Sequence, residues 1–142
     1  MYWEEHTDDF WKKTVDQVNI LFSGTNMKID IDSSIVGLIL PIEVRKTILL
    51  VLKECIINII KHAEATEVSI LLYDEFGRLR LEITDNGKGI KDKSSQKSLG
   101  INSLRDRMET LGGDFQIFAN DSKGTSVICT FPMNNDASEN RA

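Results

Sequence analysis

Four polar residues interrupt an otherwise apolar segment between positions 54 and 62. Glu54, Asn58 and Lys61 follow one another at intervals of four and three residues, so in a helix they share one face. His62 lies one turn after Asn58. An amide oxygen can ligate magnesium without adding charge, a carboxylate can take a proton or orient a water, and an ammonium group donates to phosphate oxygens. A solvent-facing polar stripe has the same spacing, so this pattern alone leaves both interpretations open.

A second group of residues surrounds the sequence Asp-Asn-Gly-Lys-Gly at 85–89. Asp85 continues the apolar face of an alternating strand pattern, where an unpaired carboxylate is costly to bury. The N–H donors of a purine amino group would satisfy it, while Gly87 and Gly89 would let a flat ring approach the backbone. Ile90 would then supply an apolar wall for the ring. A tight turn is the alternative interpretation, because Asp, Asn and Gly are common turn residues.

Two glycine positions further along the chain add weaker signals. Gly100 begins a predicted helix after a polar loop, and the N–H groups at a helix N-terminus are suited to binding phosphate. An ordinary helix start capped by Ser98 explains the same pattern. Gly124 and Thr125 open a strand, which by itself indicates only the end of a hairpin.

The elements that must position these residues follow from hydrophobic periodicity. Helical spacing predicts three helices, at residues 8–22, from Pro41 to about Ala63, and at 99–111 before Gly112-Gly113. Alternating patterns predict five strands, at residues 27–32, 67–73, 78–84, 114–119 and 124–131. The long middle helix is apolar on more than one face, which predicts that it packs against the sheet. We therefore expect an α+β fold, a two-layer sandwich with a mixed, mostly antiparallel sheet and helices on one face.

Composition limits the classes of function. The chain has 142 residues, enough for one domain, and its net charge of -5 argues against nucleic acid as a partner. Cys55 and Cys129 both lie in apolar runs, which predicts two buried thiols in a reducing compartment rather than a disulfide. No apolar run is long enough to span a bilayer. We expect a cytoplasmic segment without direct membrane contact, either free or as the cytosolic part of a membrane-anchored protein.

The order of these motifs resembles that of the ATP-binding catalytic domain of sensor histidine kinases. That superfamily also includes DNA gyrase, the ninety-kilodalton heat-shock chaperone and MutL-type repair proteins. ECIINIIKHA at 54–63 is similar to the N box, DNGKGI at 85–90 to the first Gly box, SLGI at 98–101 to the second, and Gly124-Thr125 to the third. LRDRMETLGGDFQI at 104–117 is similar to the corresponding stretch of a subfamily with a short nucleotide lid and no F box.

The resemblance implies a domain organisation and a fold. Residues 25–133 would form an ATP-binding catalytic domain with a Bergerat-type two-layer sandwich. Residues 1–24 would be an N-terminal helix or linker that packs on the domain or leads into it, and residues 134–142 a disordered tail. Residues 91–98 would form the lid that orders over ATP.

The resemblance also implies roles for individual residues. Asn58 would coordinate Mg²⁺, Glu54 would act on a water or in proton transfer, and Lys61 and His62 would lie near the ribose or the phosphates. The residues that wrap the phosphates at the helix start would be Leu99, Gly100 and Ile101. The residues around the base would be Asp85, Gly87, Gly89, Ile90, Gly124 and Thr125. Among them, Asp85 would bind the amino group of adenine, and Thr125 would support the base directly or through water.

The activity implied is transfer of the γ-phosphoryl group of ATP to a His on a separate helical-hairpin dimerisation domain, and from there to a response regulator. Two departures from the family pattern stand out. Ser98 occupies a position where many relatives have glycine. Only His6 precedes the domain, and the segment from His6 to Pro41 is too short for two dimerising helices, so we do not expect His6 to be the phosphoacceptor. The chain is therefore expected to be the catalytic part of a kinase, as an excised domain.

Two alternatives remain at this level. A free-standing anti-sigma-factor kinase of the same superfamily would phosphorylate Ser or Thr and would suit the chain length. A non-catalytic module would keep the fold and lose the nucleotide, against which the presence of Glu54, Asn58, Asp85 and Gly100 argues.

Overall fold

A five-stranded mixed sheet forms one layer of the computed structural model, which describes residues 7–34, 39–89, 100–121 and 123–132. The strands are β1 (Lys28–Ser33), β2 (Glu67–Glu75), β3 (Arg78–Asp85), β4 (Asp114–Ala119) and β5 (Thr125–Phe131). Their order across the sheet is β1-β2-β3-β5-β4. β1 pairs in parallel with β2, and the other neighbours are antiparallel. The α+β sandwich with a mixed, mostly antiparallel sheet is therefore confirmed.

The described residues form three α-helices, α1 (Thr7–Phe22), α2 (Ile42–Asn58) and α3 (Ile101–Thr110). None of these helices has the length and apolar character needed to cross a membrane. α2 connects the parallel strands β1 and β2, as such a pair requires a crossover. The predicted lid at 91–98 and tail at 134–142 lie outside the described residues.

The core lies between α2 and the inner face of the sheet. Leu79, Leu81 and Ile83 alternate along β3 and are each at most 2% exposed, as the period of two predicted. α2 buries residues from both its apolar faces, including Ile48 and Ile56. α1 packs on α2 and adds further apolar side chains to the same cluster. Cys55 and Cys129 are both buried free thiols, as predicted.

The start of α2 differs from the prediction by one position. Pro41 was expected inside the first turn, but its ψ of 149° is not helical and the helix begins at Ile42. The carbonyl of Pro41 accepts the N–H of Arg45 at 3.1 Å, so Pro41 is the N-cap residue. At the end of α3, Gly112 has a φ of 79° and donates to the carbonyl of Glu109 at 2.9 Å. Gly113 donates to the carbonyl of Met108, which completes the predicted glycine-dependent helix end.

The end of the middle helix differs more. The sequence predicts a continuous α-helix to about Ala63, whereas α2 ends at Asn58 and a single π-helical turn (Ile59–Ala63) follows. Glu64, with a φ of 55°, ends the turn. A π turn has more residues per turn than an α-helix, so the spacing that placed Lys61 on the face of Glu54 does not hold beyond Asn58.

The β2–β3 hairpin is closed by Phe76 and Gly77 alone. Their φ angles of 54° and 81° are those of a two-residue turn with both central residues left-handed. Such turns favour Asn-Gly, whereas Phe76 is a bulky residue whose side chain is 98% exposed. β2 therefore extends two residues beyond its predicted end at residue 73.

We predict that Phe76→Asn stabilises the fold. Asn tolerates a positive φ better than Phe, and the exposed ring loses almost no packing, so the free energy of unfolding should rise by about 1 kcal/mol. Urea denaturation of the two proteins measures the difference. Phe76→Ala is the matched control, because it removes the ring without relieving the backbone, and it should leave stability nearly unchanged. Equal stability of the Asn variant and the wild type would contradict the interpretation.

Candidate functional site

Asp85 is the last residue of β3 and lies opposite Val68 of β2 and Thr125 of β5. Its side chain is buried, with 6% exposed. One carboxylate oxygen accepts the N–H of Gly87 at 2.8 Å, and the backbone N–H of Thr125 also donates to the carboxylate. Burial raises the pKa of Asp85 above its ordinary value and outweighs these two hydrogen bonds, which lower it. The carboxylate is therefore costly to ionise, and a further N–H donor would favour its charged form.

The backbone of Asp85 lies directly against the glycine segment that opens β5. A Cβ on Gly124 would lie 1.8 Å from the carbonyl oxygen of Asp85 and 2.8 Å from the Cα of Asn86. Any side chain at Gly124 would therefore force the strands apart. Gly89, with a φ of 83°, approaches the same point, because its Cβ would lie 3.2 Å from the carbonyl oxygen of Gly124. The first and third predicted glycine segments are thus in backbone contact.

Gly87 has a different neighbour. A Cβ at this position would lie 2.1 Å from the carbonyl oxygen of Ala63, the last residue of the π turn. The same oxygen accepts the N–H of Lys88 at 2.8 Å. The fold itself therefore requires glycine at 87, in addition to the approach of a flat ring that the sequence suggested.

Asn86 is a site residue to which the sequence analysis gave no role beyond a turn. Its Oδ1 accepts the N–H groups of Thr66 at 2.8 Å and Glu67 at 2.9 Å, and its Nδ2 donates to the Thr66 hydroxyl at 2.9 Å. These bonds tie the end of β3 to the start of β2. The partners lie about twenty positions away in the chain, so no local pattern around Asn86 could have shown them.

Glu54 lies beside the start of α3. Its Oε1 would be 3.4 Å from a Cβ on Gly100, the left-handed N-cap residue of that helix. Asn58 is one turn further along the same face of α2, and both side chains are half-buried. Glu54 therefore lies at the N-terminal end of α3, where backbone N–H groups lack helical partners, and Asn58 follows it one turn further along α2.

The buried thiol of Cys55 lies in the core near both Glu54 and Asp85. Burial is the main cause of its strongly raised pKa, and the charges of Glu54 and Asp85 raise it further, so both carboxylates lie within electrostatic range of one α2 residue. The pKa of Cys129 is likewise raised by burial, to about 12. Neither thiol is ionised near neutral pH, so neither is a nucleophile here.

The remaining predicted site residues are placed less directly. Lys61 and His62 are exposed on the π turn. The Ile101 side chain is 1% exposed in the core, so only its backbone is available to a ligand. Ile90 and Leu99 lie outside the described residues. Within the described ranges, no group of three or more His, Cys, Asp or Glu side chains is placed to hold a metal.

Comparison with solved structures defines the class of fold. The structure superposes with a TM-score of 0.73 on the catalytic domain of histidine kinase ThkA, at 17% identity, covering 94% of this chain and 97% of that one. It superposes equally well on histidine kinase AdeS of Acinetobacter baumannii, at 19% identity, covering 95% and 68%. The fold is thus that of histidine kinase catalytic domains.

The family model described as histidine kinase-, DNA gyrase B- and HSP90-like ATPase matches residues 43–135, and the chain belongs to this family. Sensor histidine kinase LiaS of Bacillus subtilis is 32% identical over 84 residues, which are 58% of this chain and 23% of LiaS. YdfH of the same organism is 37% identical over 87 residues, covering 58% and 21%. The chain thus spans only about a quarter of the length of these relatives.

We predict that Asn86→Ala destabilises the fold by about 2 kcal/mol, because two backbone N–H groups and one hydroxyl lose their partner. Asn86→Asp keeps an acceptor for both N–H groups and should cost less than half as much. Chemical denaturation of the three proteins gives the free energies of unfolding. Equal losses in the two variants would show that the accepted hydrogen bonds are not what Asn86 contributes.

The raised pKa of Asp85 predicts a pH dependence of stability. The folded protein holds the Asp85 proton more tightly than the unfolded chain, so this group favours folding most below about pH 3.9 and the benefit is lost as pH rises through the raised pKa. Asp85→Asn does not titrate. We therefore compare the free energies of unfolding of the two proteins without ligand, from pH 4 upward. The value for Asp85→Asn minus the value for the wild type should increase with pH and then become constant. A difference independent of pH would contradict this assignment.

Proposed function

We propose that this chain is the ATP-binding catalytic domain of a two-component sensor histidine kinase. It would transfer the γ-phosphoryl group of ATP to a His on a separate helical-hairpin dimerisation domain. The observation that carries the proposal is the buried carboxylate of Asp85, whose backbone lies against Gly124, within a chain of the histidine kinase-like ATPase family. The site lies on the cytosolic side in this proposal, since ATP is its substrate.

Adenine recognition is assigned to Asp85. The carboxylate would accept an N–H of the adenine amino group, which offsets the burial that raises its pKa. Thr125 lies opposite Asp85 in the sheet and would support the base directly or through water. Gly89 keeps the backbone beside Gly124 free of side chains, which leaves the flat base access to this edge. Ile90 would add the apolar wall.

Phosphate binding is assigned to the start of α3. The N–H groups around Gly100 and Ile101, together with Leu99 before them, would face the phosphates, as helix N-termini favour anions. Lys61 and His62 are exposed on the π turn and would contact the ribose or phosphates. A magnesium ion would neutralise charge on the phosphates when bound.

Asn58 would hold the magnesium through its amide oxygen, a ligand that adds no charge to the site. Asn58 is half-buried on the same face of α2 as Glu54, so its amide lies on the side of the helix that carries the proposed phosphate site. Glu54 lies beside Gly100 and would act on a water or in proton transfer. Its position next to the start of α3 supports this role, because the γ-phosphate would lie there.

The partners in this proposal are the helical-hairpin dimerisation domain and a response regulator. Histidine kinase ThkA, which shares this fold with a TM-score of 0.74, 17% identity and 94% of this chain covered, has been crystallised in complex with the response regulator TrrA. The relatives named above are sensor histidine kinases. None of them, and no contact among the described residues, favours the alternative of an anti-sigma-factor Ser/Thr kinase.

The nucleotide site is tested by thermal and chemical unfolding with a non-hydrolysable ATP analogue and magnesium. At about 100 times its dissociation constant, the analogue should stabilise the wild type by about 2.7 kcal/mol. Asp85→Asn should remain folded and lose this gain, because an amide presents one acceptor in place of two. Asp74→Asn is the matched control, since Asp74 is exposed at the other end of the sheet. Equal stabilisation of the wild type and Asp85→Asn would refute the assignment of Asp85.

The acceptor is tested by incubation with γ-labelled ATP, magnesium and a helical-hairpin dimerisation domain supplied as a separate polypeptide. The hairpin should carry an acid-labile, base-stable phosphate, as phosphohistidine does. Glu54→Gln should keep analogue binding and lose most of the transfer. Acid-stable label on an anti-anti-sigma protein offered in the same reaction would instead identify a Ser/Thr kinase.

A further inference from the structure

An apolar groove runs between α1 and α2 on the outer surface of the helical layer. Its volume is about 360 Å³. Its floor and walls are formed mainly by aliphatic side chains of both helices: Val18, Ile20, Leu21, Leu49, Leu52 and Ile56. Lys53 is the single charged residue among the described residues that line it.

Several of these aliphatic groups remain in contact with water. Ile20 is 70% exposed, Leu21 39% and Leu49 36%. They lie on adjoining helices around one concave surface, whereas exposed apolar residues on monomeric proteins are usually scattered singly. A concave cluster of this kind indicates a binding surface.

The groove is separate from the nucleotide site. Leu49 precedes Asn58 by nine residues, which at about 100° per residue places the two side chains on opposite sides of α2. Occupation of the groove and of the nucleotide site would therefore not compete directly for space. The inference below does not depend on the proposed kinase activity.

The shape of the groove selects a helix as its occupant. Both walls are helices whose backbone groups are used in their own hydrogen bonds, so an extended strand would find no sheet edge to pair with. The lining residues span positions 14–21 and 49–56, about two turns of each helix. Side-chain ridges of a third helix can pack into such a cleft, as in other helix-in-groove complexes.

The charges at the rim select the kind of helix. Lys46 and Lys53 flank Leu49 at the spacing of one turn on the same exposed stripe of α2. The α1 side of the groove contributes no charged side chain among its described lining residues. The whole chain has a net charge of -5, whereas Lys53, the one charged residue among the described lining residues, is basic. We propose that the groove docks an amphipathic helix of a partner protein, with an aliphatic stripe bordered by Asp or Glu.

The test uses synthetic helical peptides of about 20 residues as probes. One carries a Leu stripe bordered by Glu, a second the same stripe bordered by Lys, and a third the Glu composition in scrambled order. Binding to the full chain is followed by NMR of the Ile and Leu methyl groups. The Glu peptide should shift the methyl signals of Ile20, Leu21 and Leu49, and the other two should not. Raising salt from about 50 to 500 mM should weaken binding several-fold.

Variants separate docking from folding. Leu49→Gln should weaken binding of the Glu peptide at least about tenfold, because it removes an aliphatic contact at the centre of the groove. Lys46→Gln with Lys53→Gln alters only exposed side chains and should weaken it several-fold while leaving the melting temperature unchanged. Phe76→Ala is the control for an exposed apolar residue elsewhere and should change nothing.

Three results would overturn the proposal. The Glu peptide fails to bind at millimolar concentration, or the Lys peptide binds as tightly as the Glu peptide, or the wild-type chain forms a dimer in sedimentation experiments that Leu49→Gln dissociates. The last result would assign the groove to a second copy of this chain. Each of these outcomes is independent of whether the chain binds ATP.

Discussion

The close approach of two backbones at Asp85 and Gly124 determines the structure of the edge of the sheet at which β3 ends and β5 begins. Because Gly124 has no side chain, the start of β5 lies directly against the carbonyl of Asp85. That contact brings the N–H of Thr125 to the Asp85 carboxylate and buries the carboxylate at the same time. A larger residue at Gly124 would separate the strands and expose the acid to water. The chemistry assigned to Asp85 thus depends on a residue that has no functional group.

A second junction joins this edge to the helical layer. The Ala63 carbonyl at the end of the π turn accepts the N–H of Lys88 and lies against Gly87, while the Asn86 amide holds the start of β2. The π turn therefore ends beside the loop that follows β3, and the hydrogen bond from Lys88 to Ala63 joins the two segments. Asp85 and the polar residues of α2 are connected through this short path rather than through the body of the sheet.

Helices and strands were predicted well from the sequence wherever a single hydrophobic periodicity, helical or alternating, was clear. Alternation in β3 and the apolar faces of α2 gave the sheet, the helix and the core, because burial follows directly from those periods. The π turn was not predicted: the helical spacing of the sequence continues to Ala63, whose carbonyl is bonded in the structure to Lys88, far along the chain. The role of Asn86 was hidden for the same reason. For Gly87 the residue type was recognised as important, but the neighbour that requires it, Ala63, is a fact of tertiary structure.

The two cysteines are buried in the core, so reagents in solution can reach their thiols only when the core opens. Cys55 lies in the core within electrostatic range of Glu54 and Asp85, and Cys129 lies on the facing strand β5. Both thiols are shielded from reagents and held in their unreactive form, so oxidants in solution meet neither of them in the closed state. The rate at which these thiols are alkylated therefore reports how often the core beside Asp85 opens to solvent. The chain therefore contains two natural reporters of opening in its core, without an engineered cysteine.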